Sequence, residues 1–132
     1  MKRDNVANSF DIDGVIYMGE YGGVYPGPSD IIITGRSFEE ELATRQMLEK
    51  KGITNTVFYN KLPFDQKTRE SSGEHKAKVL NFIKEQGGVI ELHFEDDPIQ
   101  AEIIRRLAPH VQVVLLQHDL VEKENVWHEP EV

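Results

Sequence analysis

The chain of 132 residues contains no cysteine, which excludes disulfide bonds, thiolate metal ligands and cysteine nucleophiles. Basic residues are few relative to acidic ones, with 15 Lys and Arg against 23 Asp and Glu and a formal charge of −8. This charge argues against a strongly cationic surface for nucleic acids or membranes and favours the binding of cations.

Long hydrophobic runs are also missing, since no stretch approaches the ~18 apolar residues of a membrane span. The first five residues lack the apolar segment of a secretory signal, so we expect a soluble, cytoplasmic protein that does not bind membranes. A single domain over residues 1–132 is expected, because domains usually hold ~100–200 residues. Residues 122–132 are rich in acidic side chains and predict a flexible tail.

Short runs of β-type residues alternate along the chain with longer runs of helical periodicity. Strands are predicted over residues 6–12, 31–34, 56–59, 89–95 and 111–116, and helices over 37–51, 74–86 and 97–107. Residues 60–72 are predicted to form a surface loop, and the glycine-rich segment 14–27 a set of turns or a flap. Alternating strands and helices predict an α/β protein with a five-stranded, mainly parallel sheet and helices on both faces.

Residues able to take part in chemistry follow several of the predicted strands. In parallel sheets the ligand crevice lies beyond the carboxyl ends of the strands, so these residues are expected to converge there. They are Asp11 and Asp13 after the first strand, Thr34, Gly35 and Arg36 after the second, Glu95, Asp96 and Asp97 after the fourth, and Lys76 in the helix before the fourth.

Four short motifs occur in a fixed order: Asp-x-Asp-Gly at 11–14, Ile-Ile-Ile-Thr-Gly-Arg at 31–36, His-Lys-Ala-Lys-Val-Leu at 75–80 and Phe-Glu-Asp-Asp-Pro at 94–98. Together they resemble the motifs of the haloacid dehalogenase-like (HAD) superfamily of phosphatases, over roughly residues 6–117. The resemblance implies a Rossmann-like three-layer sandwich. It also implies a Mg²⁺-dependent phosphomonoesterase that acts through an aspartyl-phosphate.

By this resemblance, Asp11 is the nucleophile and Asp13 is the acid and base. Thr34 donates a hydrogen bond to a phosphoryl oxygen, with Gly35 beside it in the substrate-binding turn. Arg36 either grips the substrate or is a solvated loop residue. A lysine offsets the negative charge of the reacting groups; Lys76, expected in the first turn of its helix, is preferred to Lys78.

The resemblance also implies a Mg²⁺ ion, which prefers oxygen ligands. The expected ligands are a side-chain oxygen of Asp11, the backbone carbonyl of Asp13 and the carboxylate of Asp96. Asp97 is the alternative to Asp96, although it also suits the N-cap of the following helix. Glu95 is expected to orient Lys76 or a metal-bound water from behind the ligands. The five histidines share no metal-binding spacing and are expected to be ordinary polar residues.

The spacing between motifs leaves no room for a cap domain, since only 21 positions separate Asp13 from Thr34 and 42 separate Thr34 from Lys76. An open site suits a large substrate or a partner that closes it. Similarity to the phosphatase domain of polynucleotide kinase-phosphatases implies a nucleotide or polynucleotide 3′-phosphate as substrate. The formal charge of −8 does not decide whether Arg36, Lys61, Lys67 and Arg69 form a local basic rim.

Two alternatives stay open at this point. One is a sugar or sugar-acid phosphatase that works as a homo-oligomer, and the oligomeric state does not follow from the sequence. The other is a non-catalytic, metal-binding regulatory module, since a fold alone does not fix a function. The intact acid and base, Asp13, argues against the second alternative.

Overall fold

A computed structural model describes residues 6–122 of the chain. Its strands are β1 (Val6–Phe10), β2 (Ile31–Ser37), β3 (Val57–Asn60), β4 (Val89–Glu95) and β5 (Gln112–Leu115). Its helices are α1 (Glu41–Lys50), α2 (Arg69–Glu85) and α3 (Pro98–Leu107), with 3₁₀ turns at Phe38–Glu40 and Phe64–Gln66.

The five strands form one sheet in the order β3-β2-β1-β4-β5, and every neighbouring pair is parallel. Two hydrophobic clusters pack on the sheet. One is built around Leu80 and Ile104, from α2 and α3, and the other around Ile12 and Leu48, from the segment after β1 and from α1. The predicted three-layer α/β fold is therefore confirmed, and the sheet is wholly rather than mainly parallel.

Between Asp13 and Lys76 the described chain forms turns, strands β2 and β3, helix α1 and the start of α2. No cap domain is present within residues 6–122. The tail predicted over residues 122–132 lies, apart from Glu122, outside the described residues. No helix in the described part of the chain is long and apolar enough to cross a membrane.

Two helix starts follow the sequence signals closely. Ser37 and Glu40 form a capping box, in which the Ser37 side chain accepts from the Glu39 amide while Glu40 accepts from the Ser37 amide. Asp97 caps α3 by accepting from the Ile99 amide at 2.9 Å, and Pro98 occupies the first helical position.

The prediction of a loop over residues 60–72 is wrong at its end, because α2 begins at Arg69. Thr68 caps the helix and exchanges hydrogen bonds with Ser71. The first turns contain Ser71, Ser72 and Gly73, which are poor helix formers and hide the helical pattern. Gly73 packs closely against α3, since a Cβ there would lie 3.1 Å from Cβ of Ile103.

Candidate active site

Asp11 follows β1, the central strand of the sheet, at the edge where the parallel strands end. Its amide continues the pairing with β4 by donating to the Phe94 carbonyl at 3.1 Å. Its carboxylate is only 2% exposed, and Oδ1 lies 3.1 Å from Nζ of Lys76. The backbone thus fixes Asp11, and its side chain faces a buried cation.

Lys76 lies in the interior of α2 rather than in its first turn, because the helix begins at Arg69. The predicted position within the helix was therefore wrong, yet its fully buried side chain reaches both Asp11 and Glu95, whose Oε1 is 2.8 Å from Nζ. Lys78 is exposed and lines a cleft beside β3. The structure thus brings Lys76, and not Lys78, to the acidic residues.

Three buried carboxylates, from Asp11, Glu95 and Asp96, can each offer an oxygen within 4.8 Å of the others. Burial and the charge of Glu95 raise the pKa of Asp11 well above its ordinary value. Burial opposes ionisation of Glu95 too, but Lys76 and a hydrogen bond from His93 outweigh it and lower the pKa of Glu95. Three buried acidic side chains and a buried lysine thus lie together at this edge of the sheet.

Gly14 allows Asp96 to approach the end of β1. Its φ angle is +85°, in the left-handed region, and a Cβ at this position would overlap the Asp96 carboxylate. Its carbonyl oxygen lies 2.7 Å from Nε2 of His118, in the segment after β5. The glycine of the Asp-x-Asp-Gly motif is thus needed both for its backbone conformation and for the space it leaves.

A chain of buried polar contacts continues behind the carboxylates. Nε2 of His93 lies 3.1 Å from Oε1 of Glu95, and Nδ1 of His93 lies 2.7 Å from Oγ of Ser9. The expectation that all histidines are ordinary polar residues was wrong for His93, which is fully buried. His93 lies two residues before Glu95 in the same strand, so both side chains are on one face of the sheet. This spacing is the feature of the sequence that could have indicated their contact.

Asp13 forms a bidentate ion pair with Arg36 across the site. Nε of Arg36 donates to Oδ2 at 2.9 Å, and Nη2 donates to Oδ1 at 2.7 Å. Burial would lower the pKa of the Arg36 guanidinium, but the hydrogen bonds that Arg36 donates to Asp13 outweigh burial and raise this pKa. Nη1 also donates to Oγ1 of the buried Thr44 at 3.2 Å. Arg36 is therefore held in place and is not a solvated loop residue.

Thr34 is fully buried near the end of β2. The parallel register pairs Phe10 with Ile32, so Thr34 lies beyond the last paired residue of β1, at the edge where the strands end. Its Oγ1 accepts a hydrogen bond from the Arg36 amide at 3.0 Å. Gly35 and Arg36 were expected to follow the strand, but β2 continues through both residues to Ser37.

Lys67 is fully buried and so does not belong to an exposed basic rim. Arg69 donates to both carboxylate oxygens of Asp97, at 2.8 and 2.6 Å. Asp97 also caps α3 and accepts from Gln100. Burial would raise the pKa of Asp97, but Arg69 outweighs it and lowers that pKa. The oxygens of Asp97 are thus committed to these contacts, and Asp96 is the residue that faces the cluster.

The oxygen donors of the cluster fit a hard divalent cation such as Mg²⁺. Asp11 and Asp96 belong both to the predicted ligand set and to the observed cluster, while Glu95 joins them instead of serving only to orient Lys76. The side chain of Asp13, whose carbonyl was the predicted ligand, faces Arg36. The residues present could therefore hold a metal ion through Asp11, Glu95 and Asp96.

Comparison of the chain with protein-family models, with curated proteins and with solved structures finds no match. A functional interpretation therefore depends on the four motifs and on the geometry of the site.

Proposed function

We propose that this protein is a Mg²⁺-dependent phosphomonoesterase that uses Asp11 as its nucleophile. The observation that carries the proposal is the position of the buried Lys76 ammonium, 3.1 Å from Asp11 and 2.8 Å from Glu95. A cation at this place is what the attack of a carboxylate on an anionic phosphate ester requires, because the two reactants otherwise repel each other.

In the proposed first step, a carboxylate oxygen of Asp11 attacks phosphorus while the bond to the ester oxygen breaks. Asp13 gives its proton to the departing alkoxide, and the phosphoryl group becomes bonded to Asp11. In the second step, water attacks the aspartyl-phosphate and gives a proton to Asp13. The products are an alcohol and inorganic phosphate, and both aspartates return to their starting states.

The ion pair with Arg36 must open during this cycle, because both oxygens of Asp13 are engaged by the guanidinium. The phosphoryl oxygens of a substrate offer Arg36 the same bidentate geometry as a carboxylate. Movement of the guanidinium to the substrate would free Asp13 to carry a proton. The Thr34 hydroxyl would donate a hydrogen bond to another phosphoryl oxygen.

Asp11, Glu95 and Asp96 would hold the metal ion at the floor of the site, as their shared cluster indicates. The predicted backbone ligand, the carbonyl of Asp13, is part of the same proposal. When bound, Mg²⁺ would supply positive charge that offsets the phosphoryl and carboxylate charges. The burial of all three carboxylates supports this assignment, since a buried carboxylate is costly unless a cation lies beside it.

A nucleotide or polynucleotide 3′-phosphate is the proposed substrate class. The absence of a cap domain among residues 6–122 supports it, because a site without a cap admits the end of a large molecule. Sugar and sugar-acid phosphates are the competing class, and they would call for a homo-oligomer that covers the site.

The test is phosphate release from a panel containing an aryl phosphate, nucleotides, sugar phosphates and oligonucleotides phosphorylated at the 3′ or 5′ end. Each is measured with Mg²⁺ or with a chelator, using the native protein and Asp11→Asn. Turnover that requires both Mg²⁺ and Asp11 supports the proposal, and the preferred substrate identifies the class. Mg²⁺ binding without turnover on any substrate would instead favour a non-catalytic regulatory module.

A further inference from the structure

Lys67 is a fully buried lysine that belongs to none of the four motifs. Its Nζ donates to Oε2 of Glu40 at 2.8 Å and to the carbonyl oxygen of Gly35 at 3.2 Å, and it lies 5.1 Å from the ring centroid of Phe64. Burying an ammonium is costly unless it is well paired. These contacts place the charge of Lys67 directly beside the last residues of β2.

The carbonyl of Gly35 has a second buried donor. Nδ2 of Asn60, a residue that is 2% exposed, lies 3.4 Å from the same oxygen. The other side of this peptide unit is the amide of Arg36, which donates to Oγ1 of Thr34 at 3.0 Å. The Gly35–Arg36 peptide is therefore fixed at both ends, by Lys67 and Asn60 on its oxygen and by Thr34 on its nitrogen.

This arrangement determines what the Thr34 hydroxyl can do. A hydroxyl group has one proton and two acceptor lone pairs, and the Arg36 amide occupies an acceptor position. The proton of Thr34 must then point away from that amide. A cation on the peptide oxygen also polarises the amide and strengthens its hydrogen bond to Thr34, since linked hydrogen bonds reinforce one another.

We propose that Lys67 is a positioning residue that, through the Gly35–Arg36 peptide, aims the hydroxyl proton of Thr34 at the transferring phosphoryl group. This inference rests on the proposed phosphatase function and extends it to a residue outside the motifs. Lys67 itself does not touch the substrate. Its effect reaches the reaction only through Thr34, and this distinguishes it from a lysine that merely anchors the segment before α2.

A double-mutant cycle on the full chain tests this route. Turnover of an aryl phosphate with Mg²⁺ is measured for the native protein, Lys67→Met, Thr34→Val and the double variant, with thermal melting of each. Thr34→Val is expected to lower kcat about 100-fold, as for the loss of a donor to a developing charge. Lys67→Met is expected to lower kcat about 10-fold, and the double variant to be no slower than Thr34→Val.

Two further variants complete the experiment. Lys84→Met, which removes an exposed lysine near the end of α2, is the matched control and is expected to keep native kcat. Asn60→Ala removes the other donor to the Gly35 carbonyl and keeps Lys67. If Lys67→Met does not melt cooperatively, the double-mutant cycle is made with Asn60→Ala and Thr34→Val instead. The double variant is again expected to be no slower than Thr34→Val alone.

The possible outcomes separate this inference from the proposed function. If the two substitutions lower kcat by independent, multiplicative factors in the double variant, Lys67 does not act through Thr34. A folded Lys67→Met variant with native kcat would overturn the proposal as well. Either result leaves the phosphatase proposal standing. Absence of Mg²⁺-dependent turnover in the native protein would overturn the proposed function and, with it, this inference.

Discussion

Arg36 donates to both carboxylate oxygens of Asp13, at 2.9 and 2.7 Å, from a side chain that is only 20% exposed. A bidentate pair of this kind engages both oxygens of the carboxylate. The proposed first step needs a proton on Asp13. A bound substrate must therefore break the contact between Arg36 and Asp13 and bind the guanidinium itself. Asp13 and Arg36 are thus coupled, and substitutions at the two positions test different steps.

Asp13→Asn is expected to impair esters with poor leaving groups far more than esters with good ones. General acid catalysis contributes about 10²–10⁴-fold when an alkoxide must be protonated, and a nitrophenolate needs no such help. The measurement is kcat for an alkyl phosphate and for nitrophenyl phosphate in the native protein and the variant. Equal losses on both substrates would contradict the role of Asp13 as the acid.

Lys76→Met is expected to reduce kcat by about 10²–10³-fold, because it removes the buried charge beside Asp11 and Glu95. The matched control is Lys78→Met, which removes an exposed lysine two positions further along the same helix. The control is expected to keep native kcat. Loss of activity in Lys78→Met with retention in Lys76→Met would show that the wrong lysine has been assigned.

Gly14→Ala is expected to abolish Mg²⁺-dependent turnover, because the added Cβ would overlap the Asp96 carboxylate. Gly52→Ala is the matched control, since Gly52 also has a positive φ angle, of +74°, but has no atom within 4 Å of an added Cβ. Both variants carry backbone strain of about 1 kcal/mol. The shift of melting temperature by Mg²⁺ should disappear only in Gly14→Ala, and its survival there would contradict the placement of Asp96.

His75 is expected to make stability depend on pH. Burial and the nearby charge of Lys76 lower its pKa to about 4, and its buried Nε2 has no hydrogen-bond partner among residues 6–122. The unfolded chain binds this proton more tightly, so the free energy of unfolding falls as pH decreases from about 6.5 to about 4, by at most about 3 kcal/mol.

His75→Leu should remove that part of the pH dependence, measured by denaturant unfolding at several pH values. His110→Gln, at an exposed position, is the control and should leave the dependence unchanged. An unaltered slope in His75→Leu would show that His75 takes up its proton equally well in the folded chain.

Most of the fold could be predicted because hydrophobic periodicity and helix caps act locally. The three β-branched residues Ile31–Ile33 predicted a buried parallel strand, and the caps at Ser37 and Asp97 lie where the sequence placed them. The start of α2 was missed because its first turns contain Ser71, Ser72 and Gly73, which are poor helix formers. The close packing of Gly73 against α3 depends on tertiary structure and leaves no periodic signal along the chain.

The candidate site was predictable where residues lie near or just after strand ends, as Asp11, Thr34 and Asp96 do. The burial and the contacts of Lys67 and His93 could not be predicted from a position at a strand end. Lysine is rarely fully buried, and a lone histidine in a strand carries no motif. Their positions depend on partners far away in sequence, such as Gly35 and Ser9.

The most direct test of Asp11 as the nucleophile is to trap the reaction in acid during turnover of an aryl phosphate with Mg²⁺ and to map phosphorylation by peptide mass spectrometry. A phosphoryl group is expected on Asp11 itself. It should be released by hydroxylamine and should be absent from Asp11→Asn. Steady turnover by Asp11→Asn, or a phosphoryl group on another residue, would contradict Asp11 as the nucleophile.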